Sequence, residues 1–158
     1  MDKETQQLIQ EITIQFMRNA MVHGIESPTD RMKSQKNVEA RIDCHLSRLS
    51  NGMMELVFED DGGGINYDAI REKAIASGQW SESDIDTWDN KKILSLIFTP
   101  GFSTLDQAND IAGRGVGMDV IKEKINYAKG KLQILTRKGR GTKFTVTLPE
   151  SINQLNIA

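Results

Sequence analysis

The chain lacks several features that mark particular classes of protein. One cysteine, Cys44, excludes an internal disulfide and a zinc site built from several cysteines, and two histidines are too few for a histidine-rich metal site. No apolar run approaches the roughly 20 residues that a membrane span requires. With 20 Lys and Arg against 22 Asp and Glu, the chain lacks the basic excess typical of nucleic-acid binding. No charged-then-apolar signal segment opens the sequence, so we expect a cytoplasmic location.

What remains has the proportions of an ordinary globular domain. The 158 residues are 38% hydrophobic and 27% charged, which allows one hydrophobic core and leaves little room for a second. The sequence shows no internal repeat and no low-complexity tract. We therefore expect a single domain over residues 1–150, followed by a frayed tail at residues 151–158.

Hydrophobic periodicity predicts the order of helices and strands. The predicted helices cover residues 3–23, 67–77, 91–98 and 118–128; the predicted strands lie within residues 38–60 and over residues 132–136 and 143–148. Asn51-Gly52 is a hairpin signal between the first two strands. Pro28 is expected to keep the first helix from resuming at once after Gly24. Because both strand pairs form hairpins, we expect an α/β two-layer sandwich, with a mixed, mostly antiparallel sheet covered by helices on one face.

Three polar side chains lie four residues apart on the first predicted helix. Gln15, Asn19 and His23 form a narrow stripe, since each step of four advances about 40° around the axis. The stripe borders the apolar face, and the amide oxygen of Asn19 is a hard ligand that Mg²⁺ accepts beside phosphate oxygens. Taken alone, the stripe also fits a solvated helix edge.

The string EDDGGGI, residues 59–65, places two carboxylates at a strand end before three glycines. Glycines permit close backbone approaches that any side chain would block. A buried carboxylate there can accept a hydrogen bond from the amino group of adenine, whereas guanine has no donor at that position. An ordinary turn is the alternative interpretation.

Two further glycine-rich strings follow. GRGVGM, residues 113–118, opens a predicted helix, and backbone amides at a helix N-terminus bind phosphate well. Its spacing is not G-x-G-x-x-G and no strand precedes it, so a Rossmann site is excluded, and no Walker string occurs. KGRGT, residues 138–142, leads into the last strand and is typical of a hairpin turn when considered alone.

In order and spacing, the polar stripe of the first helix and the three glycine-rich strings resemble the four sequence boxes of the GHKL (Bergerat) ATP-binding fold. That fold is shared by histidine kinases, type II topoisomerases, Hsp90 and MutL. Four strings are similar to those of chemotaxis-type histidine kinases, the CheA family: RNAMVHGIESPTDR (18–31), EDDGGGI (59–65), FTPGFST (98–104) and GRGVGMDV (113–120). The resemblance covers roughly residues 8–149, and it implies the GHKL form of the sandwich.

The resemblance implies ATP and Mg²⁺ as ligands. Asn19 would ligate the Mg²⁺ that bridges the ATP phosphates, and His23 would contact the phosphate or ribose region. Asp60 would accept from the adenine amino group, and Thr142 would join it through water. Two glycines would shape the floor of the nucleotide site: Gly62 and Gly64.

Residues 99–116 would form a lid over the phosphates. The residues that the resemblance assigns to nucleotide contacts in this part of the chain are Ser103, Thr104, Gly113, Arg114, Gly115, Val116, Gly117 and Met118. Lys73 falls where the family places a basic residue near the phosphates.

Two positions depart from the CheA pattern: Gln15 replaces a usual histidine, and Val22 replaces a common aspartate. The hydrolytic branches place a glutamate at the position of Gln15, where it activates water as a general base. An amide cannot accept a proton usefully near neutral pH. Gln15 therefore favours phosphoryl transfer, in which catalysis is mostly positioning and charge neutralisation, over dedicated ATP hydrolysis.

Neither histidine lies in a phosphoacceptor context, because His23 belongs to the nucleotide stripe and His45 lies in a predicted strand. The resemblance thus implies the ATP-binding catalytic domain of a CheA-like sensor histidine kinase. Its γ-phosphate would pass to a histidine phosphotransfer domain, in the same or another protein, and onward to a response regulator. Two alternatives remain: a GHKL switch or interaction module with weak or no transfer, and a serine kinase of the anti-sigma type.

Overall fold

The computed structural model describes residues 1–102 and 117–152. The helices are α1 (Lys3–Asn19), α2 (Pro28–Lys33), α3 (Tyr67–Ala76), α4 (Glu82–Asp86), α5 (Asn90–Ser95) and α6 (Met118–Tyr127); the strands are β1 (Ile42–Arg48), β2 (Met53–Asp60), β3 (Lys131–Arg137) and β4 (Gly141–Pro149). The chain divides into two compact units, residues 1–65 with 123–158 and residues 66–122. Within the described ranges, no helix is both long and apolar enough to cross a membrane.

The first unit is built on a four-stranded sheet with the order β1-β2-β4-β3. All three strand pairings in the described residues are antiparallel, so the sheet contains none of the parallel pairing that a mixed sheet would have. The register places Asp60 opposite Ile42 on one side and opposite Thr142 on the other. The predicted α/β sandwich is confirmed, and its central strand β2 ends at the acidic glycine-rich string.

The core of the first unit lies between α1 and one face of the sheet. The ring of Phe16 stacks on Phe144 at 4.3 Å between centroids and lies 5.8 Å from the ring of Phe58. Lys124 of α6 forms an ion pair with Glu11 of α1, which ties these two helices together. Alternate side chains of β2 and β4 are buried on this face, as expected for a sheet with one covered side.

The first helix does not remain α-helical to His23 as predicted. After Asn19 the chain forms a π-helical turn, Ala20–Gly24, in which the Ile25 N–H donates to the Ala20 carbonyl at 2.8 Å. The wider turn means that the advance of about 40° per four residues no longer applies beyond Asn19. π-turns occur frequently at functional sites, and this one ends beside the glycine-rich loop.

The first helix does not resume at once after Gly24, but a second helix begins at Pro28 itself. Pro28 is the first residue of α2, and Ser27 caps the helix by accepting from the Asp30 N–H at 3.2 Å. Proline is favoured at this first position because its missing N–H has no helical partner to lose. The short helix α4 was also not predicted; Ser81 caps it in the same way.

The C-terminus of α2 is a Schellman motif. The Lys36 N–H donates to the Arg31 carbonyl at 2.9 Å, and the Gln35 N–H donates to the Met32 carbonyl at 3.0 Å. Gln35 has a φ of 57°, the left-handed conformation that favours glycine. The motif reverses the chain and directs Lys36 back towards residues 61 and 62.

We expect Gln35→Gly to stabilise the domain by about 0.5–1 kcal/mol. A side chain in the left-handed region costs roughly 1–2 kcal/mol, and glycine removes this cost. Glycine also loses more backbone entropy on folding, which offsets part of the gain. Urea denaturation measures the difference. The matched control is Lys33→Gly, at the last residue of α2, which should destabilise by about 0.5 kcal/mol. Equal destabilisation by both changes would contradict the assignment of strain to Gln35.

The second unit consists of short helices around a small core of its own. Ile70, Ile85 and Ile93, from α3, α4 and α5, are buried. The ring of Trp80 makes edge contacts with Trp88 at 5.9 Å and with Phe102 at 6.4 Å. These aromatic contacts join both ends of the segment that contains α4 and α5.

Candidate functional site

Three backbone segments meet at the end of β2. The Gly63 N–H donates to the Gly24 carbonyl at 2.8 Å, which joins the glycine-rich loop to the end of the π-turn. The Gly139 N–H donates to the Gly63 carbonyl at 2.8 Å, which joins the same loop to the β3–β4 turn. The loop after Asp60 is therefore held from two sides by main-chain hydrogen bonds.

The close approaches in this loop require glycine. A Cβ atom at Gly62 would lie 2.2 Å from the Gly24 carbonyl oxygen, and one at Gly64 would lie 2.5 Å from the Arg137 carbonyl oxygen. Both distances are far below the 3.0 Å limit of real Cβ contacts. The glycines predicted to shape the site thus serve first to let three main chains approach one another.

Asp60 is the last residue of β2 and is only 4% exposed. Its Oδ1 atom accepts from the Gly62 N–H at 2.9 Å. Burial raises the pKa of the Asp60 carboxyl above its usual range, and backbone N–H groups of Gly62 and Thr142 offset part of that effect. A carboxylate offers about four acceptor positions, so these two bonds orient Asp60 and leave capacity for a ligand.

Two threonine hydroxyls lie to one side of Asp60 in the sheet, Thr142 on the adjacent strand β4 and Thr136 on β3 beyond it. Thr142 lies opposite Asp60 in the sheet and is 7% exposed. Its Oγ1 lies 3.2 Å from Oγ1 of Thr136, which in turn accepts from the Ile65 N–H at 2.8 Å. Thr142 is therefore beside Asp60, and its contact with adenine through water stays a prediction. Thr136, bound to Thr142, is a residue that the sequence pattern did not single out.

Gln15 and Asn19 form a hydrogen-bonded pair on α1. The Gln15 Nε2 donates to the Asn19 Oδ1 at 3.1 Å, and both side chains are half-buried. An amide oxygen has two lone pairs, so this bond orients Asn19 and leaves one acceptor position. A Cβ at Gly24 would lie 3.7 Å from the Asn19 carbonyl oxygen and 3.7 Å from Asp60 Oδ1, which places the end of α1 beside the carboxylate.

His23 differs from the other two residues of the predicted stripe. It lies in the π-turn and is exposed, as is its neighbour Val22. The structure therefore brings Gln15 and Asn19 together, whereas His23 lies beyond the point at which the α-helix changes to a π-helical turn. Its contact with a nucleotide stays a prediction.

Comparison with known proteins identifies the family. Residues 4–152 match the family described as Histidine kinase-, DNA gyrase B-, and HSP90-like ATPase. The chain belongs to this family. The GHKL ATPase fold inferred from the four strings is thereby confirmed.

Relatives of this GHKL domain include chemotaxis proteins. The chain is 35% identical over 144 residues to chemotaxis protein CheA of Bacillus subtilis, covering 91% of this chain and 21% of that protein. It is 38% identical over 137 residues to CheA of Halobacterium salinarum (87% of this chain, 20% of that protein). It is 34% identical over 149 residues to the gliding motility regulatory protein of Myxococcus xanthus (94% and 19%). The chain thus spans about a fifth of the length of these relatives and is a GHKL domain of the CheA type.

A solved structure supports the GHKL fold independently. The histidine kinase domain of the blue-light activated histidine kinase EL346 from Erythrobacter litoralis aligns with a TM-score of 0.53 at 16% identity. The alignment covers 96% of this chain and 50% of that one. The likeness at this low identity reflects the fold.

A group of charges around the buried side chain of Arg31 was not predicted in this GHKL domain. Arg31 is 1% exposed, and its guanidinium donates to Asp61 Oδ2 at 2.8 Å and to Glu26 Oε2 at 3.2 Å. Its remaining bonds reach main-chain carbonyls at Asn37, Glu39 and Asp61. Lys36 joins the same group through Glu26. We call these four side chains, Glu26, Arg31, Lys36 and Asp61, the Arg31 charge cluster, in which the Asp61 side chain is 40% exposed; the sequence pattern shows only ordinary charged residues at their positions.

The remaining predicted site residues belong to the second unit or lie outside the described residues. Lys73 of α3 places its Nζ 5.2 Å from the centre of the Phe102 ring. Gly117 precedes α6 and its carbonyl accepts from the Ile121 N–H, while Met118 is the buried first residue of that helix; the predicted helix start is confirmed. Six predicted contacts lie outside the described residues: Ser103, Thr104, Gly113, Arg114, Gly115 and Val116.

Proposed function

We propose that this GHKL domain binds Mg·ATP and transfers the γ-phosphate to a histidine on a separate domain or protein. The observation that carries the proposal is Asp60, a buried carboxylate oriented by a neighbouring N–H within a loop that only glycines can form. Membership of the ATPase family supports ATP as the nucleotide. Such a kinase domain would act in the cytoplasm.

Asp60 has the chemistry to select adenine. An ionised carboxylate only accepts hydrogen bonds, so it pairs with the amino group of adenine and repels the carbonyl oxygen that guanine carries at that position. Because the Gly62 N–H occupies Oδ1, the carboxylate cannot rotate freely to suit another base. Burial strengthens the discrimination, since an unpaired polar group there has no water to replace the lost partner.

Asn19 fits the role of a magnesium ligand. Its Oδ1 is oriented by Gln15 and retains an acceptor position, and Mg²⁺ binds through few protein oxygens when phosphates and waters supply the others. Bound there, Mg²⁺ would neutralise the charge that develops on the phosphoryl group. Gln15 donates to Asn19, so its function in this proposal is to orient a ligand and not to activate water.

The acceptor histidine belongs to another domain or protein. His23 lies in the π-turn and His45 in β1, and the resemblance to CheA gives neither a phosphoacceptor context. In transfer, the bond between the γ-phosphorus and the β–γ bridging oxygen breaks and a bond to an imidazole nitrogen forms, leaving ADP. The phosphohistidine, on a histidine phosphotransfer domain, would then supply a response regulator.

The deciding experiment combines binding and transfer. We expect calorimetric titration with a non-hydrolysable ATP analogue to show binding that Mg²⁺ strengthens. Incubation with radiolabelled ATP and a separate histidine phosphotransfer domain should then produce an acid-labile phosphoprotein. Binding without transfer would favour the nucleotide-dependent switch module, an acid-stable product would favour a serine kinase, and no binding would remove the proposal.

Asn19→Ala is expected to remove most of the magnesium dependence of ATP binding. Deletion of one ligand oxygen should weaken binding in Mg²⁺ by about tenfold, with little change in its absence, because a hydrogen bond or ligand bond to a charged group contributes roughly 1.5–3 kcal/mol. The matched control is Gln10→Ala, on the exposed side of α1. An unchanged magnesium titration of Asn19→Ala would take Asn19 out of this role.

A further inference from the structure

Lys36 holds the two peptide groups that follow Asp61, one residue beyond Asp60. Its Nζ donates to the Asp61 carbonyl and to the Gly62 carbonyl, each at 2.7 Å, and to Glu26 Oε1 at 2.7 Å. The side chain is 15% exposed. The three oxygens match the three donors of an ammonium group, so the cation is fully coordinated by this loop and its anchor.

Each carbonyl that Lys36 binds belongs to a peptide group whose N–H contacts the candidate site. The Asp61 carbonyl and the Gly62 N–H form one planar peptide group, and that N–H donates to Asp60 Oδ1 at 2.9 Å. The Gly62 carbonyl and the Gly63 N–H form the next, and that N–H donates to the Gly24 carbonyl at 2.8 Å. Because the carbonyl and the N–H of a trans peptide point in opposite directions, fixing the carbonyls fixes where both N–H groups point.

We infer that Lys36 is a positioning residue for nucleotide recognition, acting on Asp60 through these two peptide groups. The cation holds and polarises the peptide that orients the Asp60 carboxylate, and holds the next peptide against the end of the π-turn. The inference rests on the proposed role of Asp60 in ATP binding. It deepens that role, because it names a residue outside the four sequence boxes on which the geometry of the base-binding carboxylate depends.

The surroundings of Lys36 fix its place. The Schellman motif at Gln35 directs the chain back towards the loop. Glu26 accepts from the ammonium group of Lys36 and also from Arg31, at 3.2 Å. Arg31 donates to the Asp61 carbonyl as well, at 3.3 Å. Both residues therefore bind the Asp61 carbonyl, whereas the described hydrogen bond to the Gly62 carbonyl comes from Lys36. This second bond distinguishes the role of Lys36 from that of Arg31.

The test compares Lys36→Met with Lys33→Met. Methionine keeps the length of the stem and removes the charge, and Lys33 is 73% exposed with a surface partner, Asp30. We expect amide hydrogen exchange at Gly62 and Gly63 to accelerate by about tenfold or more in Lys36→Met, since each N–H loses its fixed orientation. The Ile65 amide, in the same loop but bound to Thr136, should keep its rate. A uniform change at all three amides, or none at Gly62 and Gly63, would overturn the inference.

Nucleotide binding provides the second readout. ATP affinity should fall by about tenfold in Lys36→Met and stay within about twofold in Lys33→Met. If wild-type protein binds no ATP, the proposed function fails, while the exchange rates still decide whether Lys36 orients the loop. Unaltered ATP affinity in Lys36→Met, in a wild type that binds, would end the role in recognition.

Lys36→Arg keeps the inference testable if Lys36→Met does not fold. Arginine retains the charge and can still pair with Glu26, but its planar fork cannot place one nitrogen at equal distance from three oxygens. We expect faster exchange at Gly62 and Gly63 with Ile65 unchanged, to a smaller degree than in the methionine variant. Wild-type exchange rates at all three amides would overturn the inference.

Discussion

Asp60→Asn is expected to reduce ATP affinity by about a hundredfold, because it replaces a charged acceptor at the base with a donor. The Gly62 N–H requires an acceptor on its side of the side chain, so the new amide NH₂ must take the other position. There it would face the amino group of adenine donor to donor. The same NH₂ suits the carbonyl oxygen of guanine, so the preference for ATP over GTP should narrow as well.

The fold of Asp60→Asn should remain intact. Burial raises the pKa of Asp60, which means that the ionised form is disfavoured in the folded state and that the neutral amide relieves this cost. We expect unchanged or higher thermal stability together with lost affinity, measured by thermal melts and calorimetry on the same samples. Glu59→Gln, the exposed neighbour on β2, is the control and should leave both unchanged. Wild-type affinity in Asp60→Asn would exclude Asp60 from base recognition.

Arg31→Met should destabilise the domain by about 2–3 kcal/mol, because it removes a buried guanidinium together with its hydrogen bonds. Arg31 is 1% exposed, and its loss leaves Asp61 with one charged partner fewer and the main-chain carbonyls of Asn37 and Glu39 without their donor. A loss of that size is a large part of the roughly 5–15 kcal/mol that stabilises a domain. Urea denaturation measures it.

The control for Arg31→Met is Arg41→Met. Arg41 forms a comparable ion pair with Asp43, at 2.6 Å, but its side chain is 77% exposed. Exposed pairs contribute roughly 0–1 kcal/mol, so the control should cost little. Similar losses of unfolding free energy in the two variants would show that the burial of Arg31 does not determine how much its ion pairs stabilise the domain.

The pH dependence of stability offers a second check on the Arg31 charge cluster. Burial alone would raise the pKa of Asp61 and of Glu26, but hydrogen bonds and charge from Arg31 and Lys36 outweigh it, and both pKa values lie below their usual ranges. A lowered carboxyl pKa gives stability that is present near neutral pH and is lost as the pH falls through the lowered value. We expect this acid-range loss in wild type and a smaller loss in Arg31→Met, measured by thermal melts between neutral and acidic pH.

Regular elements with strong periodicity were predicted well. The hairpin signal Asn51-Gly52 joins β1 to β2, where Asn51 Oδ1 accepts from the Met53 N–H at 3.0 Å and Gly52 adopts a φ of 79°. The apolar stripe of α1 packs Phe16 against two rings of the sheet. These elements depend on the residues of a tight turn and on one periodic apolar face, and both are determined by residues close together in the sequence.

Short and irregular elements were not predicted, for a physical reason. A six-residue helix such as α2 has too few turns for a periodic signal, and its Pro28 indicates a start as readily as a stop. The π-turn after Asn19 ends at Gly24, whose carbonyl accepts from the Gly63 N–H, a contact that exists only in the folded chain. Local sequence carries no record of such a distant partner.

The sequence by itself determined the family, the sheet-and-helix architecture and the glycines of the loop after Asp60, because each is carried by residue type and spacing within short strings. The tertiary structure alone decided how that loop is held. Gly24 reaches it from the π-turn, and Arg31 and Lys36 reach it from α2 and its C-terminal turn, so these contacts are set by the packing of two segments against the end of β2. Orientation of a buried carboxylate depends on distances between chain segments, and those exist only once the chain has folded.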